Sequence, residues 1–191
     1  YERAAETANQ FGIPHVFTDY LEMLKMDDLD AVSIVSPPSL HHSMTLAALE
    51  YGKHVLCEKP FTTDKLKALE MWRMARTTGL TAMIAHEFRF ASARVMVKEL
   101  IDQGYLGPLS MVLMSLIVGP RRGFQLRPAT DRDDAAQGGG FLFALGAHYI
   151  DCLRHWFGEI NSVFGKVVTH AGERIDPETE ATINTTADDT F

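Results

Sequence analysis

The stretch between residues 31 and 85 alternates short apolar runs with helical patterns, and this alternation constrains the fold more than any other feature. The apolar runs are AVSIV (31–35), HVLC (54–57) and TAMIA (81–85). AVSIV is apolar without alternation, which is typical of a strand covered on both faces. A strand–helix–strand–helix–strand order implies right-handed crossovers, so the sequence predicts a parallel sheet in an α/β fold.

Proline and glycine residues mark the ends of the predicted helices. Pro37 and Pro38 end the first strand, Ser39 is predicted to cap the helix that follows, and Gly52 to end it. A second helix is predicted over 63–79, where a glycine again closes the pattern.

The pattern changes after residue 90, which indicates a second domain. The predicted elements are, in order, a helix around 93–101 capped by Ser92, a strand at about 109–118, a polar loop over 119–137, a helix that ends near Phe157, and a strand at 163–171. We therefore expect one domain over 1–90 and another over 91–191. The second is an α+β domain in this interpretation.

Composition excludes several classes of partner. The net charge is −7 and the sequence has no basic stripe, which argues against nucleic acid. No apolar run is long enough to cross a bilayer. The two cysteines, Cys57 and Cys152, form no CxxC pair, which favours a reducing, cytoplasmic setting. The chain begins without methionine inside a helical pattern, and we expect it to be an internal fragment.

Two polar stretches follow the first two predicted strands. SPPSLHH (36–42) contains Ser36 and His41 just before a helix N-terminus, where ligands of parallel α/β sheets bind. The alternative is an ordinary turn with a capping serine. CEKP (57–60) brings Glu58 and Lys59 to the same edge, where a desolvated lysine could bond an alkoxide or relay a proton. The alternative is an exposed Glu–Lys pair.

HEFRF (86–90) follows the third predicted strand and contains one arginine between two phenylalanines. Arg89 could lie over a nicotinamide ring or bond a carboxamide. It could equally anchor a domain interface by packing on aromatic rings.

GGGFLFALGAHYID (138–151) opens the helix of the second half. It matches neither GxGxxG nor GxxxxGK[ST], so the glycines are predicted to permit close backbone approach rather than to cradle phosphate. His148 lies on one helix face with Asp151 one turn on, which could orient the imidazole for acid–base work. His148, Cys152 and His155 share that face, but three ligands on one helix rarely close a zinc site, so no metal is predicted.

Taken together and in this order, SIVSPPSLHH, CEKP, HEFRF, YLGPLS and GGGFLFALGAHYID resemble the oxidoreductase family of glucose–fructose oxidoreductase, inositol dehydrogenase and MocA. The resemblance implies a Rossmann domain that binds NAD or NADP, followed by a domain with a large open sheet. It implies oxidation of a sugar or cyclitol hydroxyl, or reduction of the matching carbonyl. An unfinished open sheet suggests self-association through its face.

The resemblance also implies roles for individual residues. Lys59 would bond the reacting oxygen and His148 would act as general acid/base, with Asp151 as a further candidate substrate contact. The residues implied in cofactor binding are Ser36, Pro37, Pro38, His41, Glu58, Lys59 and Arg89.

Two departures from the family pattern keep alternatives open. Family members often carry an aspartate four residues before the histidine, and this chain has Ala144 there. The first β–α–β unit, with its GxGxxG turn, is expected to be missing. A cofactor-binding sensor without turnover is therefore the alternative function, and a third hypothesis is that the isolated chain binds nothing tightly.

Overall fold

The computed structural model describes residues 1–117, 130–176 and 178–191. The helices are α1 (Glu2–Phe11), α2 (Tyr20–Leu24), α3 (Pro38–Glu50), α4 (Lys65–Thr78), α5 (Ser92–Asp102) and α6 (Ala147–Phe157), and the strands are β1 (Ala31–Ile34), β2 (His54–Cys57), β3 (Ala82–Ile84), β4 (Glu173–Ile175) and β5 (Thr182–Asn184). Three short 3₁₀ turns occupy Glu87–Phe90, Asp131–Asp133 and Ala135–Gln137, and a π-helical turn occupies Leu142–Gly146.

These elements divide into two compact units. The first comprises Tyr1–Ser36, Leu40–Glu58 and Asp64–Ile84, and the second comprises Pro37–Ser39, Lys59–Thr63 and Ala85–Phe191. The second unit therefore includes two short loops of the N-terminal half together with the C-terminal half. The domain boundary near residue 90 stays a prediction.

The first unit contains the parallel sheet that the sequence predicts. The strand order is β1–β2–β3, and both pairs are parallel, with Ile34 opposite Cys57 and Cys57 opposite Ile84. The α/β fold is confirmed. The carboxyl ends of the strands meet at one edge, which is where the loops with polar side chains begin.

Within the described residues, α3 and α4 cover one face of the sheet, whereas the sequence predicted cover on both. Val55 and Cys57 are buried, but Leu56 and Met83 on the opposite face are 41% and 53% exposed. The two crossovers proceed in the same direction along the sheet, so right-handed connections bring α3 and α4 to the same face. Apolar strands therefore carry a second face that α3 and α4 do not reach.

Helix ends follow the glycine signals more closely than the serine signals. Gly52 and Gly79 adopt φ of 75° and 68° after α3 and α4, as predicted. Ser39 caps neither end of α3, because that helix begins one residue earlier at Pro38, where the missing N–H costs nothing. Ser92 does not cap α5 either, since it is already the first helical residue.

The second unit departs from the predicted strands. Residues 109–117 do not form a regular strand, and residue 118 lies outside the described residues. Within 163–171 one bridge forms, between Val168 and Thr190. A strand needs a hydrogen-bonded neighbour, which an apolar pattern alone does not supply. The ladder that does form is the antiparallel pair β4–β5, in a stretch predicted only as polar.

The predicted polar loop at 119–137 is described only in part. Residues 119–129 lie outside the described residues, and two 3₁₀ turns fall within 130–137. Among the helices that the structure describes, none has the length and apolar character needed to cross a membrane.

Candidate active site

The loop after β1 belongs to the first unit up to Ser36, and a buried histidine braces it there. His41 is completely buried on α3, and its Nε2 lies 2.9 Å from the carbonyl oxygen of Ser36. Burial keeps the imidazole behind the loop, so its direct effect is to fix the Ser36 backbone. The predicted role of His41 in cofactor binding would then be exerted through Ser36.

The end of β2 places a carboxylate at the same sheet edge. The backbone N–H of Glu58 donates to the carbonyl of Ile34 at 3.0 Å, which extends the β1–β2 ladder by one step. The Glu58 side chain is half-buried. The preceding Cys57 is fully buried, and burial raises the pKa of its thiol to about 11, so this thiol is inert at neutral pH.

Lys59 lies in the second unit and reaches the helix that carries His148. Its Nζ donates a hydrogen bond to the carbonyl oxygen of Ala144 at 2.9 Å. Ala144 lies in the π-helical turn that precedes α6, where the backbone is wider than in an α-helix. The helical wheel drawn from the sequence uses 3.6 residues per turn. The π turn is wider, so Ala144 does not lie on the same helix face as His148 in the way that the wheel predicts. The Ala144 side chain is exposed, and its main chain binds the lysine.

The three glycines before this turn allow backbone segments to approach closely. A Cβ atom on Gly139 would lie 2.5 Å from the carbonyl oxygen of Arg132. A Cβ atom on Gly138, whose φ is 85°, would lie 3.1 Å from the Cβ of Pro38. The close backbone approach that the glycines predicted is therefore observed. One of the residues approached is Pro38, which belongs to the SPPSLHH motif.

An aspartate from the C-terminal segment binds the amides at the start of the same helix. The N–H of Phe141 donates to the carbonyl oxygen of Asp188 at 2.9 Å, and the N–H of Leu142 donates to its carboxylate at 2.8 Å. A Cβ atom on Gly140 would lie 2.1 Å from the same carboxylate. These amides are engaged by protein, so they are not a phosphate cradle.

His148 is held between rings from the 3₁₀ turn and the residue before it. Its side chain is 2% exposed. The ring stacks on Phe88 with centroids 3.9 Å apart and an angle of 10° between the planes. His86 meets it edge-on at 5.7 Å. The guanidinium of Arg94, on α5, lies over the Phe88 ring at 4.6 Å from the centroid. The imidazole is thus fixed in orientation by aromatic packing.

Arg89 and Asp151 form a bidentate ion pair. Nε of Arg89 donates to Oδ2 of Asp151 at 2.8 Å, and its second terminal nitrogen donates to Oδ1. This hydrogen bonding raises the pKa of Arg89 further above its usual value. Both oxygens of Asp151 accept from Arg89, and its predicted role in orienting His148 stays a prediction. The pair fastens the 3₁₀ turn to α6 within the second unit, and the predicted nicotinamide and interface roles of Arg89 both stay predictions.

Two further groups beside His148 were not singled out from the sequence. Oε1 of Glu87 lies 3.8 Å from Nε2 of His148, and the Glu87 side chain is 62% exposed. Burial lowers the pKa of His86, which favours its neutral form, with the charges of Asp151 and Arg89 acting in opposite directions. The sequence did contain a signal for these two groups, because His86 and Glu87 belong to HEFRF, the polar stretch that follows the third predicted strand.

The described residues hold no metal cluster, and the cavity beside α6 does not include the predicted site residues. Within residues 1–117, 130–176 and 178–191, no three His, Cys, Asp or Glu side chains gather as a metal site would require. A cavity of about 440 Å³ lies on another face of α6, lined mainly by apolar side chains from 114–117, 141–153 and 189–191. No predicted site residue lines it.

Two family models match the chain. The model described as an oxidoreductase family with an NAD-binding Rossmann fold matches residues 1–86, and the model of a GFO/IDH/MocA C-terminal domain matches residues 95–191.

Among curated relatives, an oxidoreductase of Synechocystis is 34% identical over 92% of this chain and 47% of its own length. The 1,5-anhydro-D-fructose reductase of Ensifer adhaerens is 34% identical over 80% of this chain and 45% of its length. Levoglucosan dehydrogenase of Pseudarthrobacter phenanthrenivorans is 28% identical over 91% of this chain and 44% of its length. The chain thus spans about half the length of these relatives.

Solved structures agree. A crystal structure of an NAD-binding oxidoreductase from Klebsiella pneumoniae superposes with a TM-score of 0.83 at 27% identity, over 98% of this chain and 50% of that one. Levoglucosan dehydrogenase in complex with NADH and levoglucosan superposes with a TM-score of 0.84 at 25% identity, with the same coverage.

Proposed function

Because the chain belongs to the GFO/IDH/MocA oxidoreductase family, we propose that the complete protein is an NAD(P)-dependent oxidoreductase that acts on a hydroxyl or carbonyl group of a sugar, a cyclitol or a related polyol. The observation that carries the proposal is the hydrogen bond from Lys59 to Ala144, four residues before His148. It brings a cation and a buried imidazole to the same end of one helix. The relatives named as sugar dehydrogenases and reductases support the substrate class.

The polar residues at the edge of the parallel sheet fit the nicotinamide–ribose half of a dinucleotide. Glu58 offers a half-buried carboxylate that can accept from ribose hydroxyls, and Ser36 offers a hydroxyl beside a backbone fixed by His41. The 191 residues contain no GxGxxG turn for the pyrophosphate. The proposal therefore concerns the complete protein. We propose that it uses NAD or NADP, a choice that the test below resolves.

Lys59 and His148 would divide the polar chemistry between them. The cofactor, when bound, accepts or supplies the hydride. The Lys59 ammonium, which donates to the carbonyl oxygen of Ala144, would direct an N–H at the reacting oxygen. His148 would accept the hydroxyl proton at a ring nitrogen, with its plane fixed by Phe88. Asp151 would contribute through Arg89 and not by touching substrate.

The test is turnover by the complete protein with NAD⁺ and NADP⁺ across a panel of sugars, anhydrosugars and cyclitols, followed by absorbance of the reduced nicotinamide. We expect turnover with at least one cyclic polyol and with one cofactor preferred. Tight binding of NADH or NADPH without hydride transfer to any member of the panel would instead support the sensor alternative.

We also propose that the complete protein is a cytoplasmic homo-oligomer. Ile117 and Phe164 in the second unit are 91% and 98% exposed, so in the complete protein they are candidates for cover by the rest of the chain or by a second copy. Cys57 and Cys152 are both unbridged and buried, which is typical of a reducing compartment. Light scattering of the complete protein measures the oligomeric state directly, and a monomer would contradict the proposal.

A further inference from the structure

The π-helical turn before α6 is bound at both of its ends by one short segment of the chain, residues 188–191. At its first residue, the N–H of Leu142 donates to the carboxylate of Asp188 at 2.8 Å. At its last residue, a Cβ atom added to Gly146 would lie 3.0 Å from the ring of Phe191. The position of the turn therefore depends on this segment.

A continuous series of contacts leads from Asp188 to Lys59. The carboxylate of Asp188 lies so close to Gly140 that an added Cβ would overlap it. The carbonyl oxygen of Gly140 accepts from the N–H of Ala144 at 2.9 Å. The carbonyl oxygen of Ala144 in turn accepts from Nζ of Lys59 at 2.9 Å. A displacement at Asp188 would therefore reach the ammonium group of Lys59 through a single helical turn.

The residues on both sides of Asp188 are tied to other parts of the second unit. The N–H of Ala187, which is 3% exposed, donates to the carbonyl oxygen of Asp133 at 3.2 Å. The N–H of Asp189 donates to the carbonyl oxygen of Val168 at 3.0 Å, and the Asp189 carboxylate accepts from two further amides at 2.8 Å each. The backbone at 188 is thus fixed from both directions and can act as a support.

The negative charge of Asp188 suits its place at the start of the helix. Amides in the first turn of a helix have no partner within the helix, and the helix dipole favours a negative charge beside them. Asp188 binds two of these amides, that of Phe141 through its main-chain oxygen and that of Leu142 through its carboxylate. Loss of the carboxylate would leave the Leu142 amide without this acceptor and loosen the turn.

We propose that Asp188 is a positioning residue: through the π-helical turn it fixes the carbonyl oxygen of Ala144, and with it the place of the Lys59 ammonium beside α6. This inference rests on the proposed function of Lys59 at the reacting oxygen. It gives a role in the reaction to a segment from which the sequence singled out no functional residue.

The test is Asp188→Ala in the complete protein, which removes the carboxylate and keeps the main-chain bond from Phe141. Asp188→Asn is the conservative variant, because its amide oxygen can still accept from Leu142. The matched control is Asp19→Ala, which removes a carboxylate that accepts from the amide of Leu21 at 2.9 Å, at the start of α2 in the first unit. Circular dichroism checks that each variant folds.

NMR of the complete protein with ¹³C-labelled lysine and no substrate is the first readout, and a Lys59→Met sample identifies the Lys59 signal. A lysine held by an acceptor keeps distinct shifts for its two ε-methylene protons, whereas free rotation averages them. We expect this separation to collapse in Asp188→Ala and to persist in Asp188→Asn and Asp19→Ala. An unchanged Lys59 signal in folded Asp188→Ala would overturn the proposal.

Asp188→Glu keeps the proposal falsifiable if Asp188→Ala does not fold. It retains the charge but moves the carboxylate by one methylene, and the close approach at Gly140 leaves no room for the longer side chain. The Lys59 separation should decrease in this variant as well, and an unchanged signal would again overturn the proposal.

The second readout is kcat and KM on the substrate found in the panel. A displaced donor weakens binding of the transition state more than binding of the substrate. In Asp188→Ala, kcat should therefore fall by at least about 10-fold, while KM changes by less than about threefold. Asp188→Asn should recover most of the lost kcat, and Asp19→Ala should stay within about twofold of wild type.

An Asp188→Ala enzyme with the wild-type kcat would overturn the proposal. If the wild-type protein turns over no substrate, the proposed function fails, and the Lys59 signal still decides whether Asp188 positions the lysine.

Discussion

The ammonium group of Lys59 and the main-chain carbonyl of Ala144 are joined by a hydrogen bond of 2.9 Å across 85 residues of sequence. At position 144, where the family resemblance led us to expect an aspartate, the chain offers a backbone oxygen instead of a carboxylate. The π-helical turn presents that oxygen, because it breaks the regular α-helical repeat just before α6. The lysine is therefore held next to the helix of His148 by a main-chain oxygen.

The first prediction concerns the charge at position 144. Ala144→Asp should add a carboxylate beside Lys59 and favour its ammonium form, so the basic limb of the kcat/KM profile should move to higher pH by up to about one unit. Ala144→Asn is the matched neutral control and should leave that limb in place. Superimposable profiles for the two variants would show that the side chain at 144 does not face the lysine.

The second prediction concerns the ion pair that fastens the 3₁₀ turn to α6. Asp151→Asn should lower the free energy of unfolding in urea by about 2–3 kcal/mol, because it removes a charge-assisted bidentate contact and leaves the Arg89 charge partly buried.

The exposed pair Arg154–Glu159 has the same bidentate form and is the matched control. Its side chains are 50% and 77% exposed, so Glu159→Gln should change stability far less than Asp151→Asn. Equal losses for the two variants would mean that burial of Asp151 adds nothing to the strength of its ion pair.

The third prediction concerns the start of the same helix. Gly140→Ala should cost about 1–3 kcal/mol of stability, because its φ is 107° and the new methyl would lie 2.1 Å from the carboxylate of Asp188. Gly165→Ala is the control, since no atom lies within 4 Å of the added Cβ. Chemical unfolding measures both, and an unchanged midpoint for Gly140→Ala would contradict the observed approach.

The fourth prediction is a pH dependence of stability. Burial lowers the pKa of His86 below its usual 6.5, so the folded protein binds this proton less readily than the unfolded chain does. The contribution of neutral His86 to the free energy of unfolding is therefore fully present above about pH 6.5. It is lost as the pH falls from there towards the pKa of His86 in the folded protein.

Unfolding in urea between pH 7.5 and 5 measures how steeply the free energy of unfolding changes with pH. His86→Gln should flatten it, whereas His15→Gln, at an exposed histidine, should leave it unchanged. A wild-type slope that His86→Gln does not alter would exclude His86 as its source.

Local pattern was enough to predict the parallel sheet and the helix ends marked by glycine, because alternation of apolar runs and positive-φ positions are properties of neighbouring residues. Residues 109–117 and 163–171 show the limit of such pattern. Their apolar character predicted strands, but a strand exists only where another segment donates and accepts hydrogen bonds.

The candidate site shows the same division between local and long-range information. Lys59 and His148 could be singled out from their motifs, and the close approach at Gly138 and Gly139 could be predicted from the glycines themselves. The partners of these residues could not, since they come from distant segments. Helical spacing placed Asp151 near His148, but it gave no sign that Asp151 also binds Arg89, 62 residues away in sequence.

The central claim is that Lys59 acts on the reacting oxygen from its position beside the His148 helix, and Lys59→Met in the complete protein tests it most directly. Lys53→Met is the matched control, because Lys53 also donates to a backbone carbonyl, that of Met26 at 2.8 Å, in the first unit. On the substrate found in the panel, kcat should fall by at least about 100-fold for Lys59→Met, the scale of one lost oxyanion donor. It should stay within about twofold of wild type for Lys53→Met. A Lys59→Met enzyme with the same kcat as Lys53→Met would contradict the account.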